Sequence, residues 1–206
     1  MSLSINQAGG FFRTSPERSR PNMQLYFSPL SYEKAPPGVR ALMRPDPFPG
    51  FSMSVSPCKP TSRGHLAIRS ADPLTPPAIH PNCLATDGDV AELVAGARFL
   101  RKLAATPALS AVIAEELKPG AAVTSDAGLL SDIRAQAYSV FHPCGTCRMG
   151  ADPASCVVDE RLRVHGISGL RVVDASIFPT VPSGNINGPS IMTGLKGADL
   201  ILEEQC

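Results

Sequence analysis

Charge of one sign is what this sequence most plainly lacks: 19 lysines and arginines stand against 18 aspartates and glutamates, a formal net charge of +1. A protein that grips nucleic acid or an anionic membrane surface needs a basic stripe. The arginines here are scattered, so neither partner is expected. No uninterrupted apolar run approaches the roughly 20 residues that a membrane-spanning helix needs, so no membrane segment is expected. The opening MSLSINQAGGFFR lacks the basic stretch and apolar core of a secretory signal. Six cysteines are too sparse in a chain this long for a disulfide scaffold, and a reduced, cytoplasmic setting is the default expectation. Tryptophan is absent, and aromatic residues make up 5%.

What is abundant is proline, with 21 residues, many of them in the first 80. Proline fixes φ and removes a backbone donor, so loops and edge strands are expected there rather than long helices. At 206 residues the chain is long enough to bury a sizeable core. Residues 1–22 show no period and read as an extended lead-in. Met23 to Tyr32 reads as a strand interrupted by Pro29, hence near a sheet edge. Glu33 to Gly50 reads as a long loop. Phe51 to Ser56 alternates apolar and small polar residues, the half-buried strand pattern. His65 to Ser70 is a second strand, able to pair antiparallel with the first. Asp72 to Pro81 is a proline-rich connection.

Helices follow. Asp87 or Asp89 caps one that runs to about Ala105, with Val90, Leu93, Val94, Ala97, Leu100 and Ala104 at helical spacing. Pro107 opens a second, with Leu109, Val112, Ile113 and Leu117 inward and Pro119-Gly120 at its end. Ser125 caps a third through Leu129, Leu130, Ile133 and Ala137. The last helix has Pro189 at its first position and an apolar face of Ile191, Met192, Leu195, Ala198 and Leu202. Gly194 and Gly197 inside it each cost about 1 kcal/mol against alanine, which points to close approach of a neighbour. The pattern is α+β: an antiparallel sheet covered by helices, followed by a segment that ends in a helix. The division expected is residues 1–140 for the sheet and its helices, and 141–206 for the C-terminal segment.

Functional signals concentrate in that segment. Cys144-Gly-Thr-Cys147 has redox or half-zinc spacing. Gly150 and Pro153 prevent a following helix, however, and no second close pair exists, so two thiols packed in a tight turn is the preferred reading and no metal is expected. His142 lies before Pro143, which holds it extended, and an imidazole suits general-base work near neutral pH. His65, His80 and His165 have no such setting. Asn185 and Asn187 alternate just before the last helix; Asn187 is either a plain cap or part of a helix end that faces an electron-rich group. Leu170 to Asp174 is a β-run that ends in an acid and small residues.

Taken together, His142-Pro-Cys-Gly-Thr-Cys-Arg-Met-Gly150, Val158-Asp159, Leu162-Arg-Val-His-Gly166, Leu170-Arg-Val-Val-Asp-Ala-Ser176, Pro179 and Ser183-Gly-Asn-Ile-Asn-Gly-Pro-Ser-Ile-Met192 resemble the C-terminal region of the glucose-methanol-choline (GMC) family of flavin oxidoreductases, most closely its choline-dehydrogenase-like alcohol dehydrogenases. Cys58-Lys-Pro-Thr-Ser-Arg-Gly64 resembles that family's substrate domain. The resemblance implies FAD as cofactor and a small-molecule alcohol as substrate. It implies that His142 accepts the hydroxyl proton, that Asn185 helps to hold the substrate oxygen, and that hydride passes to flavin N5. It further implies that Asp174, Ala175, Asn187, Gly188 and Pro189 contact the cofactor, and that the last helix packs on an FAD domain. The family's opening G-x-G-x-x-G strand–turn–helix occurs nowhere in this sequence. The chain is therefore expected to be a fragment or expressed domain, inactive without its FAD-binding half, not retaining FAD alone, and prone to self-association through apolar surface around 141–195. The competing expectations are a non-catalytic interaction module that keeps the substrate-domain fold, and a zinc or thiol-redox protein using Cys144, Cys147 and Cys156.

Overall fold

The computed structural model describes residues 6–33 and 44–204. They group into two compact units, one drawn from Met1–Pro57 and Val90–Ala137, the other from Cys58–Asp89 and Tyr138–Cys206. Segment 58–89 thus clusters with the C-terminal residues.

The first unit is built on a three-stranded antiparallel sheet: β1 (Ala8–Phe12), β2 (Met23–Ser28) and, beyond the short pair β3 (Tyr32–Glu33) and β4 (Arg44–Pro45), β5 (Ser52–Pro57), in the order β1-β2-β5. The lead-in expected at 1–22 thus contains a strand, β1. Nor is β2 an edge: Phe12 pairs with Met23 on one side and Pro57 pairs with it on the other. Pro29 falls just past the strand, so it removes no ladder donor. Of the loop expected at 33–50, residues 34–43 lie outside the described residues, and its flanks pair as β3 and β4.

Helix α1 (Asp87–Ala104) supplies Val90 onward to this unit. Its Gly96 lies against Met23 Cε and Val55 Cγ2, and Phe99 stacks on Phe12 with ring centroids 3.9 Å apart. A side chain at 96 would hold the helix off the sheet, where Met23 is fully buried. The second expected helix survives only as α2 (Pro107–Ser110), and Val112 and Leu117 are exposed. Arg101 explains why: its guanidinium takes Glu116 and the carbonyls of Gly120 and Val123, and so draws the chain into loop form. Helix α3 (Asp126–Gln136) starts as expected, with Ser125 Oγ accepting from Gly128 N–H at 3.1 Å.

In the second unit β6 (His65–Ala67) pairs with β7 (Ala78–His80), not with β5, so part of the expected proline-rich connection is a strand. Asp89 does not cap α1; Thr86 Oγ1 accepts from its N–H at 3.3 Å. The Asp89 carboxylate turns instead to residues 61 and 62. It accepts from Thr61 N–H (2.7 Å) and Oγ1 (2.9 Å) and from Ser62 N–H (2.8 Å) and Oγ (2.5 Å). Burial alone would push this carboxyl up; the four donors outweigh burial and lower it to about 2.

The C-terminal part of this unit buries Val158, Leu162, Ile177 and Leu200 together, with Met149, Val164, Val172, Val173 and Phe178 around them. It ends in α4 (Asn187–Glu203). The face of α4 turned inward is Thr193, Gly197 and Leu200, not the apolar face that its periodicity suggests: Ile191, Met192, Leu195 and Leu202 are all exposed. Gly197 makes the expected close approach, since a Cβ there would overlap Val173 Cγ1, whereas Gly194 faces open space.

Candidate active site

The turn that follows His142 and the body of α4 meet on one strip of backbone, which begins next to Asp174 and Ala175. Cys147 N–H donates to Ser176 O at 2.9 Å and Met149 N–H to Ile177 O at 2.8 Å, so the turn after His142 is paired to the 3-10 turn Ala175–Ile177. Gly145, at φ +89, adopts a left-handed conformation, and a Cβ there would meet Phe178 O at 3.0 Å. On the other side Val173, just before the same 3-10 turn, receives Gly197 of α4. Residues 173–178 are therefore the shared seat of the histidine turn and of α4, which meets them at Gly197.

His142 is half-buried and follows Phe141, which is left-handed at φ 60 and 80% exposed. Phe141 N–H donates to Ser139 Oγ at 2.9 Å. Asn185 is exposed, two residues after Ser183, which is left-handed at φ 54 and donates its N–H to Val181 O at 2.9 Å. Non-glycine residues in this region carry a cost of roughly 1–2 kcal/mol; two of the five among the described residues, Phe141 and Ser183, lie within two residues of a predicted catalytic position, while Asn82, Leu84 and Leu162 lie elsewhere. His165, by contrast, is tied by Nε2 to Gly150 O at 2.9 Å, a structural bond.

Of the predicted cofactor contacts, Asp174 caps the 3-10 turn, its Oδ1 accepting from Ser176 N–H at 2.7 Å. Ala175 is half-buried beside it. Asn187, Gly188 and Pro189 form the first turn of α4, placing Pro189 at the third helical position rather than the first. Asn187 does not act as the cap: Ile186 occupies that position, without a side-chain hydrogen bond. Asn187 and Gly188 are exposed, with open space beside Gly188. The hydroxyl of Ser176 is buried without a hydrogen-bond partner. Sequence reasoning did not single it out, and only its place in Asp174-Ala-Ser176 could have done so.

Burial pushes the Cys144 thiol up, and the Arg63 charge offsets this only in part, which disfavours the thiolate that redox and zinc chemistry need. Among the described residues no three His, Cys, Asp or Glu side chains gather in a way that could hold a metal. No helix among them is long and apolar enough to cross a membrane.

Comparisons with known proteins converge on one family. A family profile described as GMC oxidoreductase matches residues 60–194. An alcohol dehydrogenase [acceptor] of Pseudomonas putida is 39% identical over 204 residues, covering 99% of this chain and 36% of that protein. An oxygen-dependent choline dehydrogenase of Klebsiella pneumoniae is 41% identical over 199 residues, covering 97% and 35%. Among solved structures, pyridoxine 4-oxidase from Mesorbium loti superposes with a TM-score of 0.82 at 25% identity, over 99% of this chain and 39% of that one. A formate oxidase of Aspergillus oryzae, from a study of FAD modification, gives 0.78 at 28% identity, over 90% and 32%. The chain spans about a third of the length of the curated relatives it matches.

Proposed function

Since this chain belongs to the GMC oxidoreductase family, being matched by its profile over residues 60–194, we propose that it forms the substrate-handling portion of an FAD-dependent alcohol oxidoreductase. In this reading His142 accepts the proton of the substrate hydroxyl. Asn185 donates a carboxamide hydrogen bond to the same oxygen as negative charge develops on it. The alcohol class follows from the relatives named for alcohol and choline oxidation. The observation that carries the reading is the shared seat at 173–178, to which both the His142 turn and α4 are joined.

The residues present suit FAD. The start of α4 has N–H groups without a side-chain cap and an open glycine at 188, which is favourable for a pyrophosphate. The Ser176 hydroxyl is buried without a partner and matches a polar ligand group. Asp174, Ala175, Asn187, Gly188 and Pro189 are the residues that would line the cofactor. When bound, FAD supplies the acceptor for the hydride lost by the carbinol carbon. This chain's own work is on the oxygen: His142 removes its proton, and Asn185 holds it in place.

The test uses the whole enzyme, this chain together with its FAD-binding portion. His142→Ala is expected to lower kcat/KM for the alcohol by roughly 10²–10⁴, and Asn185→Ala by roughly 10²–10³, with flavin content unchanged. Wild-type turnover in His142→Ala at full flavin content overturns the assignment.

A further inference from the structure

Away from that site, His65 and His80 face each other directly across the β6–β7 ladder. Their rings lie 4.5 Å apart between centroids and only 19° from parallel, and both residues are exposed. We propose that these two imidazoles form a bidentate site for a late first-row divalent cation (nickel, copper or zinc), with water completing the coordination. In the stacked arrangement the ring planes are nearly parallel, so the in-plane nitrogen lone pairs do not converge until the rings turn; both rings are exposed and free to do so. Bonds of about 2.0–2.1 Å to one ion place two nitrogens a little over 3 Å apart, which the directly opposed backbone positions allow once both rings leave the stack and turn one nitrogen each toward the ion. Imidazole is the ligand these cations favour over oxygen donors.

The backbone beneath the pair is held from several sides. Gly64 packs so closely on the carbonyls of His80 and Pro81 that no Cβ fits there. Asn82 Nδ2 donates to Arg63 O at 2.9 Å, and Ala85 N–H donates to Ser62 Oγ at 2.9 Å. The two histidines are therefore presented at fixed register, so binding demands little ordering of the chain. A bound ion clips the ends of the connection that carries the exposed Ile68 and Leu74, closing that loop more firmly. Because the imidazoles must be neutral to ligate, protons compete with the metal.

Titration of the full chain with nickel chloride, in the presence of a non-thiol reductant, tests this. One equivalent is expected to bind. His65→Ala and His80→Ala are each expected to weaken it by roughly 10²-fold, the loss of the second tethered ligand. The double variant, which keeps neither imidazole, is expected to bind more weakly than either single one, and Cys83→Ser to bind as wild type. Both histidines are exposed, so the variants are expected to fold, and circular dichroism checks this. Nickel should broaden amide resonances of 65–67 and 78–80 first. Equal affinity in wild type and His65→Ala, or broadening centred on 142–156, overturns the proposal.

Discussion

Gly197 of α4 and Val173 are in such close contact that a single methyl group added to the glycine would occupy the space of Val173 Cγ1. Gly194, one turn earlier, looks onto open space. The two glycines therefore predict opposite outcomes. Gly194→Ala is expected to stabilise by up to about 1 kcal/mol through helix propensity. Gly197→Ala is expected to destabilise by about 1–3 kcal/mol, because valine is stiff at χ1 and overpacking dominates. Denaturant midpoints of the two variants, measured side by side, check this.

Asp89 predicts a specific acid sensitivity. Its folded carboxyl lies at about 2 against an ordinary 3.8, so the unfolded chain takes up the proton first as pH falls. The stabilisation is complete above about pH 4 and is lost as pH drops through about 2; it amounts to about 2 kcal/mol. Asp89→Asn is expected to lower stability at neutral pH by a similar amount and to flatten the acid limb. Urea unfolding at a series of pH values between neutral and 2 reads both effects.

Gly145 is left-handed, with Phe178 O beside the place of its absent Cβ. Gly145→Ala is expected to cost about 1–3 kcal/mol and to loosen the pairing of Cys147 and Met149 with residues 176 and 177. Faster amide exchange at 147 and 149 than at Leu129 of α3 would show the effect to be local.

The exposed face of α4 makes a fourth prediction. Leu195→Lys, at a position 68% exposed, is expected to change stability by less than about 0.5 kcal/mol. It should reduce concentration-dependent association, which size-exclusion at two concentrations reveals. The chain expressed alone with FAD is expected to carry no stoichiometric flavin, which its visible absorbance tests.

Much of the local structure was legible because its causes are local. The Ser125 cap, the apolar period of α1 and the alternation at 52–57 each rest on neighbours in sequence. What escaped rests on distant partners. Ala-Gly-Gly-Phe-Phe at 8–12 has little strand propensity of its own and is a strand because β2 is there to pair with it. The helix expected after Pro107 yields to Arg101, whose guanidinium holds Glu116, Gly120 and Val123. In α4 the period showed which face is apolar, but the buried face is Thr193, Gly197 and Leu200, with Gly197 fitted against Val173. The candidate site divides likewise: its motifs stand out in the sequence, while the bonding of 147 and 149 to 176 and 177 does not.

The far end of α4 is tied down by ion pairs: Glu204 meets Arg171 and Arg161, and Glu203 meets Arg161, partners 33 to 43 residues earlier in the chain. Each of these pairs closes a long loop, whose entropy cost must be met before the contact stabilises. Attachment of this helix end is therefore expected to come late in folding. Weakening the clamp with Arg171→Met should accordingly hasten unfolding while leaving the refolding rate nearly untouched.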